Sequence, residues 1–442
     1  MRISSTMMTN NYLKQLNGSY ERYTKLFEQS DGKKLHRASD DAVGYSKYLR
    51  YKNSLTNVEQ FQDDITTAVS WMKNSDAALV NVTERMKEFK GKVVAAGNST
   101  NNENDMKDIA KELLASVQEV VADMNAQIGD RYLFSGQSDT TMPFQISDEK
   151  KPRGETKTLS EAQQSFFRDD TNTKPTVTQM LKMVDEDKNV YYLNVTDGRV
   201  YSQEFMENGF KDRVATGQVR VKDGDQVGVI SGWTDSKEVS NYFDSNGVIK
   251  DTAAGTAVDM TTSGGTVSLK FAVTEQYIVT YKGDAKYISM VKKTGGVDKA
   301  TDSVNQTGQD VFGSDIFDTP GVSYDGGTAS GTAMLNELLY TVAKIDAADN
   351  HWAANDGLTI SDAAHAQVLG AQTTMAARQQ AYSAASDMLT TQDESITSDI
   401  TDVSSTDVAK LATMLMEYQT IYSLSLSVGS KILPGTLADY LR

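Results

Sequence analysis

Residues 58–93, VEQFQDDITTAVSWMKNSDAALVNVTERMKEFKGKV, decide the fold. Val58, Ile65, Met72, Leu79, Met86 and Val93 recur at every seventh position, and Phe61, Ala68, Ser75, Val82 and Phe89 follow the first five at a spacing of three. In a helix this spacing lays the side chains along one narrow stripe, the seam of a coiled coil. Ser39-Asp40-Asp41 precedes it, offering oxygens to unpaired amides and negative charge to the positive end of the helix dipole. Gly97-Asn98-Ser99 marks its end. A second helix is predicted over 105–129, with Met106, Ile109, Leu113, Val117, Val120, Met124 and Ile128 on one face.

The far end of the chain repeats the pattern. Val368, Met375, Tyr382, Leu389, Ile396 and Val403 again fall seven apart, but Arg378, Gln392 and Asp399 interrupt the intermediate positions. Leu335, Leu338, Leu339, Val342 and Ile345 predict a helix before a turn at Asn355-Asp356-Gly357. A last helix, roughly 406–432, carries Leu411, Leu415, Tyr418 and Tyr422; Ile3, Met7, Leu16 and Tyr23 give the opening residues a matching stripe. Two flanks that each bury one stripe are expected to bury them against each other.

Between the flanks the chain changes character. The five prolines stand at 143, 152, 175, 320 and 434, and most of the 31 glycines lie in 141–330. Hairpins are predicted around Asp197-Gly198 and Asp223-Gly224 (219–230), with Asn246-Gly247 a further candidate turn. Val267, Leu269, Phe271 and Val273 alternate as a strand should, and 277–282 and 286–291 flank Gly283-Asp284. The expected class is α+β: a long antiparallel helical bundle or coiled coil built from both chain ends, with a large inserted antiparallel β domain whose outer faces are polar. The expected division is 1–40 with 405–442 as a terminal helical domain, 41–140 with 331–404 as a coiled-coil domain, and 141–330 as the insertion.

Composition removes several functions. A net charge of −16 repels phosphate backbones and anionic bilayers, so neither nucleic acid nor membrane insertion is expected. No cysteine means no disulfide, thiolate zinc site or thiol nucleophile. No run of 18 apolar residues occurs, and the opening lacks the apolar core and small-residue cleavage site of a secretory signal. HExxH, GxSxG and GxxxxGK[ST] are missing. Among three histidines, His36 sits in a basic stretch and reads as a solvated loop residue, while His351 and His365 are too far apart for a metal pair on one helical turn. Asp185, Asp187 and Asn189 imitate the start of a calcium loop, but Val190 stands where glycine belongs and Thr196 where a bidentate glutamate belongs. No catalytic residue, cofactor or metal site is expected.

The ends carry a resemblance. Met1-Arg2-Ile3-Ser4, Ser39-Asp40-Asp41 and Ile128-Gly129-Asp130 with Arg131-Tyr132-Leu133-Phe134-Ser135-Gly136, then Tyr418-Gln419, Val428-Gly429-Ser430-Lys431 and Leu437-Ala438-Asp439-Tyr440-Leu441, resemble the flagellar hook–filament junction family, the flagellin-like hook-associated protein 3 family. The likeness covers about 1–140 and 335–442, and Arg131–Gly136 is its most specific part. Asp41-Ala42-Val43-Gly44 departs toward flagellin, which lacks the Arg131–Gly136 block; flagellin is therefore the alternative.

The resemblance implies a flagellin-like architecture and a structural, extracellular part of the bacterial flagellum, exported unfolded by the type III apparatus without a cleaved signal. It implies self-assembly as a junction ring, the first hook-associated protein on the hook side, flagellin on the filament side, and an export chaperone on the C-terminal helix. An enzyme or a recognition module displayed by 141–330 is the more distant alternative, with Trp233 and exposed tyrosines the residues to inspect in the second case.

Overall fold

The computed structural model describes residues 5–167, 177–284, 286–288, 303–313 and 334–432. Ile3, the opening Met1–Ser4 and the closing Leu437–Leu441 lie outside them. The helices are α1 (Ser5–Glu28), α2 (Ala42–Ala96), α3 (Glu103–Met124), α4 (Glu161–Phe166), α5 (Phe210–Ala215), α6 (Gly308–Phe312), α7 (Met334–Asp346), α8 (Asn350–Trp352), α9 (Leu358–Ser404) and α10 (Val408–Ile432). The chain is α+β, with long helices from both ends and an antiparallel β domain inserted between α3 and α7. It divides into two compact units, 1–66 with 384–442 and 67–383; α2 and α9 each run through both.

Local chemistry sets the helix limits. Asp41 caps α2, its Oδ1 accepting from the amides of Val43 (3.1 Å) and Gly44 (3.0 Å). Asn102 and Asp105 close a reciprocal capping box on α3. The predicted 105–129 helix stops at Met124 because the Asn125 side chain is spent on Phe144, donating to its carbonyl at 2.9 Å and accepting from its amide at 3.0 Å. Ile128 consequently belongs to a hairpin of β1 (Gln127–Ile128) and β2 (Arg131–Tyr132), turned at Gly129 with φ +63°. The predicted turn at Asn355-Asp356-Gly357 is also corrected: α8 continues through a π-helical turn, Ala353–Gly357, into α9. A Cβ on Gly357 would meet the Trp352 ring at 3.2 Å and Val93 at 3.4 Å, so the bare glycine lets this turn lie against α2.

In the 67–383 unit, α2 and α9 run antiparallel: Thr83 donates to Gln372 at 3.2 Å, and Lys90 pairs with Asp362. Helix α3 lies beside α2 through Arg85–Glu119 (3.2 Å) and Lys92–Glu112 (3.3 Å), and α7 packs on α3. Arg378, which interrupts the apolar seam, donates to the carbonyl of Asn305. Met106, Leu113, Val117, Val120 and Met124 of α3 are buried with Leu335, Leu338, Leu339 and Ile345 of α7.

The inserted strands are β3 (Phe144–Ile146), β4 (Lys151–Gly154), β5 (Thr156–Thr158), β6 (Gln179–Val184), β7 (Val190–Leu193), β8 (Arg199–Ser202), β9 (Gly228–Ile230), β10 (Ala257–Thr262), β11 (Gly265–Phe271), β12 (Val273–Gln276) and β13 (Val279–Tyr281). Strands β6 to β11 pair in sequence order, and β11 returns to β6 through Lys270↔Val184 and Phe271↔Met183, closing a barrel and removing its open edges. Alternation sorts the side chains: Leu181, Met183, Leu193, Val200, Met260 and Leu269 fill the interior. Met180, Tyr192 and Tyr201 instead point outward into a second apolar cluster with Phe166 of α4 and Phe210 of α5. The expectation of uniformly polar outer faces therefore fails, because short helices cover one of them.

The Asp197-Gly198 hairpin forms as expected, with Gly198 at φ +74°. A Cβ there would lie 2.9 Å from that of Trp233, whose indole donates to Val195. The expected 219–230 hairpin does not form; only β9 is a strand. Val221 donates to the carbonyl of Phe166 in α4 and Asp225 pairs with Arg213 of α5 at 3.1 Å, which hold that loop onto α4 and α5 instead, while Lys222 and Gln218 donate to Asp225 within the loop. Likewise β13 pairs with β3, not with 286–291; Ile288 donates to Asn305, and 289–291 lie outside the described residues. Asp185 accepts from Asn189 within the β6–β7 turn, and His36, expected as a solvated loop residue, is half-buried 3.1 Å from Asp31.

Candidate assembly surface

Helices α1 and α10 pair antiparallel in the 1–66 with 384–442 unit. Tyr12 donates to the carbonyl of Ser425 at 2.8 Å, Tyr20 lies against Tyr422 with ring centroids 5.7 Å apart, and Lys33 bridges Ser405. A Cβ on Gly429 would fall 2.0 Å from the Tyr12 hydroxyl, so the glycine admits the ring. The predicted stripe lies partly in this contact: Leu411 is buried and Leu16, Tyr23, Leu415, Tyr418 and Tyr422 are half-buried, whereas Met7 is 60% exposed.

A second stripe escaped the sequence reading. Leu13, Tyr20 and Phe27 on α1 are seven residues apart and exposed, as are Met414, Ile421 and Val428 on α10, with Leu424 beside them. The seven-residue spacing that revealed the α2 seam was present here too; it was masked by the first stripe and by the short run of α1. Helices apolar on two sides are stable where both sides are covered. No described side chain of α1 is buried, and Leu411 is the only buried large apolar residue described on α10. The surface can do one thing chemically: it can pack other helices in heptad register.

The seam residues divide between the two units. In 67–383, Met72, Leu79, Val82, Met86, Phe89, Val93, Val368, Met375 and Tyr382 are buried; in the other unit Val58, Ile65 and Leu389 are buried and Phe61 and Ile396 half-buried. The Arg131–Gly136 block is an internal clasp. Arg131 pairs with Asp139 at 3.3 Å, and Tyr132 lies on the β1–β2 hairpin. Leu133 and Phe134 are buried, the Phe134 carbonyl accepts from the Tyr281 hydroxyl (2.8 Å) and the Gly308 amide (2.9 Å), and Ser135 accepts from the Asp284 amide. Gly136 has φ +75°, and a Cβ on it would lie 2.0 Å from the Asp284 carboxylate and 2.3 Å from its carbonyl oxygen. Three segments thus meet where the β domain joins α3.

Residues 3–139 match the family described as the bacterial flagellin N-terminal helical region. The flagellar hook-associated protein 3 of Salmonella typhimurium (strain LT2) is 28% identical over 146 residues, 33% of this chain and 46% of the relative. A flagellin of Salmonella budapest is 23% identical over 356 residues, 78% of this chain and 61% of the relative. The chain thus spans about half to three-fifths of the length of these curated relatives. Among solved structures, that of a putative flagellar hook-associated protein from Vibrio parahaemolyticus aligns over 83% of this chain and all of the other, at 12% identity and a TM-score of 0.44, too loose a likeness to bear on the fold. The resemblance drawn from Arg131–Gly136 and the chain ends agrees with the first of these relatives.

Proposed function

We propose that this chain is a structural, non-catalytic subunit of the bacterial flagellum that joins hook to filament, polymerising as a junction ring through its terminal helices. The observation that carries this reading is the pair of exposed heptad stripes, Leu13–Tyr20–Phe27 and Met414–Ile421–Val428, on helices that leave their apolar surface in water. At about 1.5–3 kcal/mol for each large side chain covered, neighbouring copies would supply the stabilisation the isolated pair lacks. The similarity to hook-associated protein 3 supports the junction, with the first hook-associated protein and flagellin as neighbours on its two sides. We assign polymerisation to 1–40 with 405–442, the supporting bundle to 41–140 with 331–404, and an outer position to 141–330. Export without a cleaved signal, an extracellular location and an export chaperone on Leu411, Leu415, Tyr418 and Tyr422 complete the proposal; their spacing of three or four residues suits a helix laid in a groove.

The match to flagellin over most of this chain favours one second reading, a filament subunit. Strains carrying Ile421→Asp or lacking the gene separate the two. A junction protein leaves hooks without attached filaments while flagellin is still made and shed. A filament subunit instead leaves no shed polymer. Normal filaments on the Ile421→Asp strain would sink both readings of the stripe.

A further inference from the structure

Helix α7 is buried on both faces, and the face turned from α3 is polar. Glu337, with no exposed surface, accepts at Oε1 from Arg153 Nη1 (3.1 Å) and Thr156 Oγ1 (2.6 Å), and at Oε2 from Thr158 Oγ1 (3.3 Å). From the opposite direction, Glu155 of the strand segment accepts from Tyr340 Oη (3.0 Å) and Lys344 Nζ (3.1 Å) of α7, and from Lys182 Nζ (2.8 Å) on β6. Burial pushes the Glu155 carboxyl up, but the charges of Lys182 and Lys344, with hydrogen bonds from Lys182 and Thr274, bring it down to about 2. Glu155 is therefore ionised, and each carboxyl group is held by donors from more than one direction.

Ions withdrawn from water gain little over a well-packed apolar contact, because desolvation offsets most of their attraction. Apolar contact is, however, indifferent to direction, whereas a carboxylate with three placed donors fits one register only. We propose that Glu337 and Glu155 form an orientation lock, which fixes the β barrel on α7 in one register rather than adding stability. The reciprocal arrangement supports this: one carboxylate stands on the helix and the other on the link between β4 and β5, so sliding or rotating either part breaks both sets of bonds. Tyr340, raised well above its ordinary value by burial and by Glu155, stays a donor throughout the neutral range.

The chain contains no cysteine, so exposed Lys111→Cys on α3 and Val229→Cys on β9 of the barrel take spin labels without background. In the otherwise native chain their separation should be a single narrow distance. In the paired Arg153→Met, Glu337→Met variant the distance should broaden or split while helix content and thermal midpoint are kept or raised. An unchanged narrow distance would overturn the lock. Failure of that variant to fold would overturn it too, since the ions would then supply stability. Thr156→Val with Thr158→Val, which strips two donors from Glu337 without removing charge, should show a smaller broadening; none would count against the proposal.

Discussion

Met72 sits at the middle of the heptad seam with no exposed surface, and Met72→Asp tests whether that seam holds the 67–383 unit together. Losing the buried thioether forfeits about 1.5–3 kcal/mol. The new carboxyl has only apolar neighbours along the seam above and below, Ile65, Ala68 and Leu79, with the Ser75 hydroxyl the nearest polar position. It must either remain charged in the core or take up a proton at pH 7. Protonating an acid with an ordinary value near 3.9 at pH 7 costs at most about 4 kcal/mol, and this sets the ceiling on the charge penalty. The total, about 5–7 kcal/mol, is comparable to the whole stability of many domains. Its pH dependence identifies its origin. The folded-state value of this acid is raised, so the penalty is full above that value and vanishes below about 3.9, where the acid is neutral in both states. Urea unfolding followed by far-ultraviolet circular dichroism at pH 7 and pH 4.5, with exposed Lys73→Asp as the surface control, measures both. Equal stability of the two variants, or a deficit that does not shrink toward pH 4.5, would show that position 72 is not in a dry seam.

Hydrogen exchange on dilute chain should be faster across 5–28 and 408–432 than across 72–93, because so few side chains of α1 and α10 are buried; equal protection would mean that their apolar stripes are already covered. Gly136→Ala should lower the thermal midpoint through loss of about 1–3 kcal/mol, since alanine is strained at φ +75° and its methyl meets Asp284; an unchanged midpoint would mean that the clasp yields freely. Glu155 is depressed in the folded state, so its contribution is present above about 4.5 and is lost as pH falls toward about 2, and Glu155→Gln should flatten the stability profile in that window. The groups facing it are Lys182, Lys344, Tyr340 and Thr274. Replacing most of 150–318 by a flexible linker should leave assembly largely intact, because the α7 face it uncovers is polar; loss of assembly by a folded variant would move the function into the insertion.

The sequence by itself determined what depends on near neighbours. The heptad stripe, the Asp41 cap, the Gly97 stop, the helices at 334–346 and 408–432 and the Asp197-Gly198 hairpin follow from spacing and from side chains acting within a few residues of themselves. The family-like Arg131–Gly136 block was visible as a pattern, though not as a clasp. Only the tertiary structure decided that Asn125 would end α3 by binding Phe144, that β13 would choose β3, and that β11 would close on β6 across more than eighty residues. A two-residue period says which face a strand buries but not which strand lies beside it. The same limit hid the part played by the polar face of α7, Asn336, Glu337, Tyr340 and Lys344, because a sequence shows that a side chain is charged and not where its counter-charge will be. Their partners, Val279, Arg153 and Glu155, come from the inserted β domain far along the chain, and folding alone brings them together.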